Sequence, residues 1–89
     1  MPLYMVEHTF AERLELTGEV VEEITEIYGE EGVRWLSTFL TPDKKRSYCL
    51  YEAPSAEAAV AALKRAGVPM ESIVPVDEVR PEDFGLPPE

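Results

Sequence analysis

Six side chains of types that bind or transform ligands fall in three short stretches: Glu7 and His8 in YMVEHTF, Arg34 and Thr38 in VRWLSTFL, and Cys49 with Tyr51 in SYCLYEA. Thiolate and imidazole suit nickel, copper or zinc, and a carboxylate adds charge, so Glu7, His8 and Cys49 are the candidate metal ligands. Glu7, Arg34, Thr38, Cys49 and Tyr51 are the candidate contacts for a small ligand: carboxylate and guanidinium for charge, hydroxyl, thiol and phenol for hydrogen bonds. The spacing limits these readings. There is no Cys-x-x-Cys and no paired histidine, and neighbouring residues on a regular strand point to opposite faces, so one site cannot easily use both Glu7 and His8. As a nucleophile Cys49 would need a nearby base and a depressed pKa; the plainer reading is a small buried residue within a strand. Arg34 can satisfy a polar cavity by pairing with Glu7 or Asp77. His8, the only histidine, reads as a partly exposed residue at a strand end, and Trp35 as core. No glycine-rich phosphate loop or nucleophile elbow occurs, and no catalytic residue is identified.

The elements that must position these groups follow from periodicity and punctuation. LYMVEHTF (3–10) reads as a strand, and residues 11–16 as a loop or loose helical lead-in. Thr17 is placed to cap a helix whose Val20, Val21, Ile24, Ile27 and Tyr28 form one stripe, ending near Gly29 or Gly32. VRWLSTFL (33–40) and SYCLYEA (47–53) read as a hairpin around TPDKKR. Ser55 caps a second helix, Ala56 to Ala66, with Ala59, Val60, Leu63 and Ala66 inward and Gly67 ending it in a left-handed conformation. IVPVDEV (73–79) is the last strand. The order βαββαβ predicts an α+β, ferredoxin-like sandwich: a four-stranded antiparallel sheet in the order 4-1-3-2 with two helices on one face. Pro75 then lies on an edge strand, where a missing N–H is tolerated. Residues 1–80 form one domain. Residues 81–89 are a proline-rich tail that Phe84 and Leu86 could dock on the body or on a neighbour.

Alternation divides the sheet into two sets. One has Val6, Leu50, Val76 and Trp35 at its centre, with Tyr4, His8, Glu52 and Glu78 towards its ends. The other contains Met5, Glu7, Arg34, Leu36, Thr38, Cys49, Tyr51 and Asp77. An unpaired carboxylate under a helix costs several kcal/mol, so the second set is expected on the open face. That face would also carry Met5, Leu36, Leu40, Tyr51 and Ile73, more apolar surface than a chain of 89 residues leaves wet. The expectation is a homodimer, sheet against sheet as in a dimeric α/β barrel, enclosing a cavity lined by Glu7, Thr38, Cys49 and Tyr51.

Eight basic against eighteen acidic side chains give a formal charge of −10, which disfavours nucleic acid and anionic membrane surfaces as partners. The basic cluster Lys44-Lys45-Arg46 reads as a solvated turn. One cysteine and no long apolar run point to the cytoplasm. The leading expectation is a binding protein for a divalent metal or small ligand. The alternatives are a small cofactor-independent enzyme of the monooxygenase-like barrel type, which needs a roomy pocket, and a structural or regulatory interaction module with a dry interface.

PLYMVEHTF, GVRWLSTFLTPDKKRSYCLYEAPSAEA and AGVP followed by I..V..V together resemble a family of short bacterial proteins known as a domain of unknown function, with nickel-binding and nickel-responsive actinobacterial members. The Cys-x-Tyr-Glu-Ala-Pro element is intact at Cys49, Tyr51, Glu52, Ala53 and Pro54. The family has Arg where this chain has His8, and often Ser-Tyr where it has Thr38-Phe39. The resemblance implies a ferredoxin-like dimer and nickel as the cofactor to test; it carries no ligand onto a particular residue.

Overall fold

A computed structural model describes residues 1–10 and 16–85. The elements are β1 (Leu3–Thr9), α1 (Gly18–Glu30), β2 (Arg34–Leu40), β3 (Arg46–Glu52), α2 (Ala56–Ala66) and β4 (Ser72–Val76), followed by a short 3-10 turn at Pro81–Phe84. The strands form one antiparallel sheet in the order β2-β3-β1-β4, the ferredoxin-like arrangement predicted from the element order. The last strand is shorter than its apolar pattern, stopping at Val76.

Local chemistry explains where the helices start and stop. The Thr17 hydroxyl accepts from the Val20 N–H at 3.2 Å and the Ser55 hydroxyl from the Ala58 N–H at 3.1 Å, each satisfying a donor that a helix start leaves free. Gly67 ends α2 at φ 70, in the region that costs an L residue with a Cβ about 1–2 kcal/mol. Ala59, Ala62 and Leu63 are the buried residues of α2, while α1 contributes Tyr28 as its buried residue. Arg65 of α2 bridges to Glu30 and Glu31 at the end of α1.

Cross-strand pairing fixes the two faces of the sheet, and it corrects the expected division. On β1, Tyr4, Val6 and His8 face the helices, as predicted. Their partners on β3 are Tyr51, Cys49 and Ser47, so that strand presents its polar set inward and Leu50 and Glu52 outward. On β4, Ile73 lies opposite Val6 and Val74 opposite Met5, so Ile73 belongs to the covered side and Val74 and Val76 to the open one. A bulge in β2 between Trp35 and Ser37 places Trp35 and Thr38 on the same covered side. Cys49, Tyr51 and Thr38 are therefore not on the open face, and the expected cavity between Glu7, Thr38, Cys49 and Tyr51 does not form. The expectation set β3 one residue out of register, grouping Cys49 and Tyr51 with Glu7, whereas Cys49 lies opposite Val6 and Glu7 opposite Tyr48. Thiol, phenol and hydroxyl are neutral and can satisfy one another under a helix, whereas carboxylates cannot, and both strand carboxylates, Glu7 and Glu52, do point outward.

Phe84 is exposed and makes no anchor on the body; Leu86 and residues 11–15 lie outside the described residues. No described helix is long and apolar enough to cross a membrane.

Gly67→Ala should destabilise the chain by about 1 kcal/mol in urea unfolding. A Cβ there meets nothing within 4 Å, so the loss reports backbone conformation alone; an unchanged midpoint would contradict the left-handed cap.

Candidate functional site

The inward residues of β1, β2 and β3 meet α1 around a cavity of about 50 Å³, lined among others by His8, Tyr28, Trp35, Thr38, Cys49 and Tyr51, with room for a few water-sized molecules. His8 is 1% exposed, Tyr51 and Tyr28 2%, and Cys49 4%. The expected half-exposed histidine at a strand end is thus a buried one, because the loop after α2 brings the Pro69 carbonyl over its ring.

Donor and acceptor arithmetic orients this cluster. His8 Nδ1 lies 2.7 Å from the Pro69 carbonyl oxygen, which can only accept, so Nδ1 carries a hydrogen. In the neutral ring Nε2 is then the acceptor, and the Tyr51 hydroxyl donates to it at 3.2 Å. Tyr28 lies next in this chain, its hydroxyl 3.4 Å from that of Tyr51 and the two rings edge to face at 5.4 Å. A second chain runs in from the other side. The Trp35 indole N–H, which can only donate, gives its hydrogen to Thr38 Oγ1 at 2.6 Å. That leaves the Thr38 hydrogen free to point at Cys49 Sγ, 3.1 Å away, and Ser47 Oγ lies 3.8 Å from the same sulfur. Among the described residues no buried polar side-chain atom lacks a partner.

The electrostatics follow. Burial pushes the Cys49 thiol up, but the His8 imidazole and the hydroxyls of Thr38 and Tyr51 outweigh it and bring the thiol below its ordinary range. Burial pushes His8 down, but Cys49 and the Pro69 carbonyl outweigh it and raise the imidazole. Both shifts favour a thiolate beside an imidazolium. Burial, followed by the charge on Cys49, holds Tyr51 far above the usual phenol range, and burial likewise raises Tyr28. The phenols therefore remain protonated donors. For stability the two shifts act in opposite directions. The contribution of His8 is complete below its unfolded value near 6.5 and is lost as pH rises through its higher folded value. The contribution of Cys49 is complete above its unfolded value near 9.0 and is lost as pH falls through its lower folded value.

The other candidates lie on the far side of the sheet. Glu7 pairs with Arg46 at 3.3 Å, and Arg34 pairs with Glu52 at 3.3 Å rather than with Glu7 or Asp77. The three candidate metal ligands are thus divided, His8 and Cys49 within and Glu7 without. Among the described residues no three His, Cys, Asp or Glu side chains gather into a metal site. His8 and Cys49 are the right donors for nickel in kind, but they are two in number, already hydrogen-bonded, and set among largely apolar walls that would strand most of a divalent charge. The cavity does not fit the ion. Tyr28, Trp35 and Ser47 join the cluster without having been picked out as site residues, although Tyr28 stood on the inward stripe of the first helix.

Replacing Cys49 by Ala removes the thiolate and leaves the burial. The His8 pKa, followed through its imidazole proton resonances, should then fall below 6.5; an unmoved titration would mean that thiol and imidazole do not interact.

Comparison with known proteins adds a family. No curated protein matches the chain. Its fold is similar to that in the crystal structure of SCO4226 from Streptomyces coelicolor A3(2), with a TM-score of 0.67, 24% identity, and coverage of 88% of this chain and 99% of that one. Residues 4–76 match the family model described as nickel-responsive protein SCO4226-like, a span that holds all four strands but for Leu3 of β1, both helices and the whole thiol–imidazole cluster. The chain belongs to this SCO4226-like family.

Proposed function

We propose that this protein is a cytoplasmic homodimer joined through its open sheet face, and that the groove on that face takes a small ligand or a divalent metal, nickel first among them. The observation that carries this reading is the uncovered apolar character of the face opposite the helices. Phe39 is 62% and Val74 51% exposed, and they share the face with Met5, Leu50 and Val76. Such a patch on so small a chain marks an interaction surface, and a two-fold dimer covers it with the same patch of a second copy.

A groove of about 580 Å³ runs over this face beside Met5, Phe39, Leu50 and the segment from Val76 to Arg80, within the range of small-molecule sites. Glu7 and Arg34 are the charged contacts proposed towards its edges. Thr38, Cys49 and Tyr51, expected in the same cavity, lie behind the sheet and take no part in it. One copy does not supply a nickel site, since Asp77 and Glu78 are the carboxylates at the groove and Glu78 is already paired with Arg80. Two copies facing each other double these donors, so nickel binding should track dimerisation. The enzyme alternative gains no support from the inner cavity, whose volume is far below that of a site for an organic substrate, and a groove of this size speaks against a dry interaction module.

Light scattering coupled to gel filtration, followed by nickel titration calorimetry on tag-free protein, tests the reading. The expected result is a dimer with saturable micromolar binding, and loss of both dimer and binding in Phe39→Glu and Val74→Lys, with circular dichroism showing that each variant keeps its secondary structure. A wild-type monomer would overturn the interface; a dimer that takes up no nickel, or a monomeric variant that binds as well as wild type, would overturn the metal assignment.

A further inference from the structure

The arm that follows β4 is a built element with nothing of its own chain to rest on. The Asp83 carboxylate accepts the Arg80 N–H at 3.0 Å, Arg80 pairs with Glu78 and Glu82, and Gly85 ends the turn at φ 81. Among the described residues every hydrogen bond and ion pair made by 77–85 is internal to the arm, and Phe84 is 73% exposed. Residues 77–80 wall the same groove as outward-facing Met5, Phe39 and Leu50, so the arm leaves the sheet on its open side and meets whatever covers that side. The two ends of the sheet differ in charge. Residues 77–84 carry four carboxylates to one arginine, next to the Phe84 ring. At the opposite end the β2–β3 turn carries Lys44, Lys45 and Arg46 to one aspartate, the only run of three basic residues in a chain of charge −10. Beside that turn Phe39 and Tyr48, a cross-strand pair on the open face, are both exposed.

Resting on the sheet-to-sheet dimer proposed above, we infer that each arm crosses to the other copy, seating Phe84 against the partner's Phe39 and the partner's Tyr48, with Glu82 beside the partner's Lys45. A two-fold axis along the strands would set the two acidic arms side by side and the two basic turns together. An axis across the strands sets each arm over the other copy's turn, and in a chain that otherwise repels itself this pairing of unlike charges selects the second arrangement. The reach is sufficient. Packed sheets stand ~10 Å apart and β4 lies about two and a half strand spacings, ~12 Å, from the β2–β3 turn, a diagonal of roughly 16 Å. Residues 77–80, extended, span ~13 Å, and the 3-10 turn adds ~8 Å. The aromatic ring that water surrounds in one copy is then buried on the other. Each groove gains the partner's arm as a wall opposite its own, so the ligand site is incomplete in the monomer.

Dimer dissociation constants measured by analytical ultracentrifugation at physiological salt test the exchange. Phe84→Ser should weaken the dimer roughly a hundredfold, because the two-fold axis counts the lost burial twice. Glu82→Lys and Lys45→Glu should each weaken it about tenfold, and the two together should restore it. The direction of Glu82→Lys is decisive: it reduces the net charge, so general repulsion alone would make it tighten the dimer. Circular dichroism establishes that each variant folds. In dimers mixed from isotope-labelled and unlabelled chains, the Phe84 ring should give intermolecular cross-peaks to Tyr48. A wild-type monomer would overturn dimer and arm together. A wild-type dimer that Phe84→Ser leaves unchanged, that Glu82→Lys tightens, that the double variant fails to restore, or whose Phe84 cross-peaks stay within one chain would overturn the arm exchange alone.

Discussion

The structure depends on one constraint: every polar group placed between sheet and helices must find its partner there. A buried hydroxyl, thiol or imidazole left alone costs about 1–3 kcal/mol, a large fraction of what holds a domain of this size together. The chain meets the constraint with two short relays, Tyr28 to Tyr51 to His8 to the Pro69 carbonyl, and Trp35 to Thr38 to Cys49. Each begins or ends on a group with only one possible role, a carbonyl that accepts or an indole that donates, so with the imidazole neutral the direction of every intervening hydrogen is determined. The relays also tie α1 to the sheet through Tyr28 and hold the bulged strand β2 in place through Trp35, which makes them part of the fold as much as of a site.

The same constraint separates two surfaces that the sequence merges. Neutral polar groups are gathered under the helices, where they satisfy one another and polarise a thiol. Charged groups remain on the open face, in the partly exposed pairs Glu7–Arg46 and Arg34–Glu52, which contribute little stability and leave an apolar centre for a partner. Membership of the SCO4226-like family then does not by itself direct a metal to the sulfur and imidazole, because their surroundings are largely apolar and supply no third ligand among the described residues.

Element order, both helix caps and the left-handed end of α2 were legible because each rests on one residue type doing what its backbone allows: Thr17, Ser55 and Gly67. The edge position of β4 was legible from the element order, and Pro75 is compatible with it. The facing of β3 was not, because SYCLYE alternates two sets of similar bulk, Ser47, Cys49 and Tyr51 against Tyr48, Leu50 and Glu52, and bulk alone does not choose between them. Glu52 was the signal available: a carboxylate with an arginine opposite it belongs outside, and turning it outward turns Cys49 in. The bulge after Trp35 had no signature in VRWLSTFL, and without it Trp35 and Thr38 are assigned to opposite faces. The contact between His8 and Pro69 joins residues sixty-one positions apart, beyond the reach of local pattern.

The inward orientation of the third strand is the claim on which the rest stands, and nuclear Overhauser contacts of the Tyr51 ring read it most directly. Cross-peaks from that ring to the ring of Tyr28 on α1, whose centroid lies 5.4 Å away, are the predicted result. Cross-peaks to Met5 and Phe39 instead, with none to Tyr28, would place phenol and thiol on the open face and contradict the account.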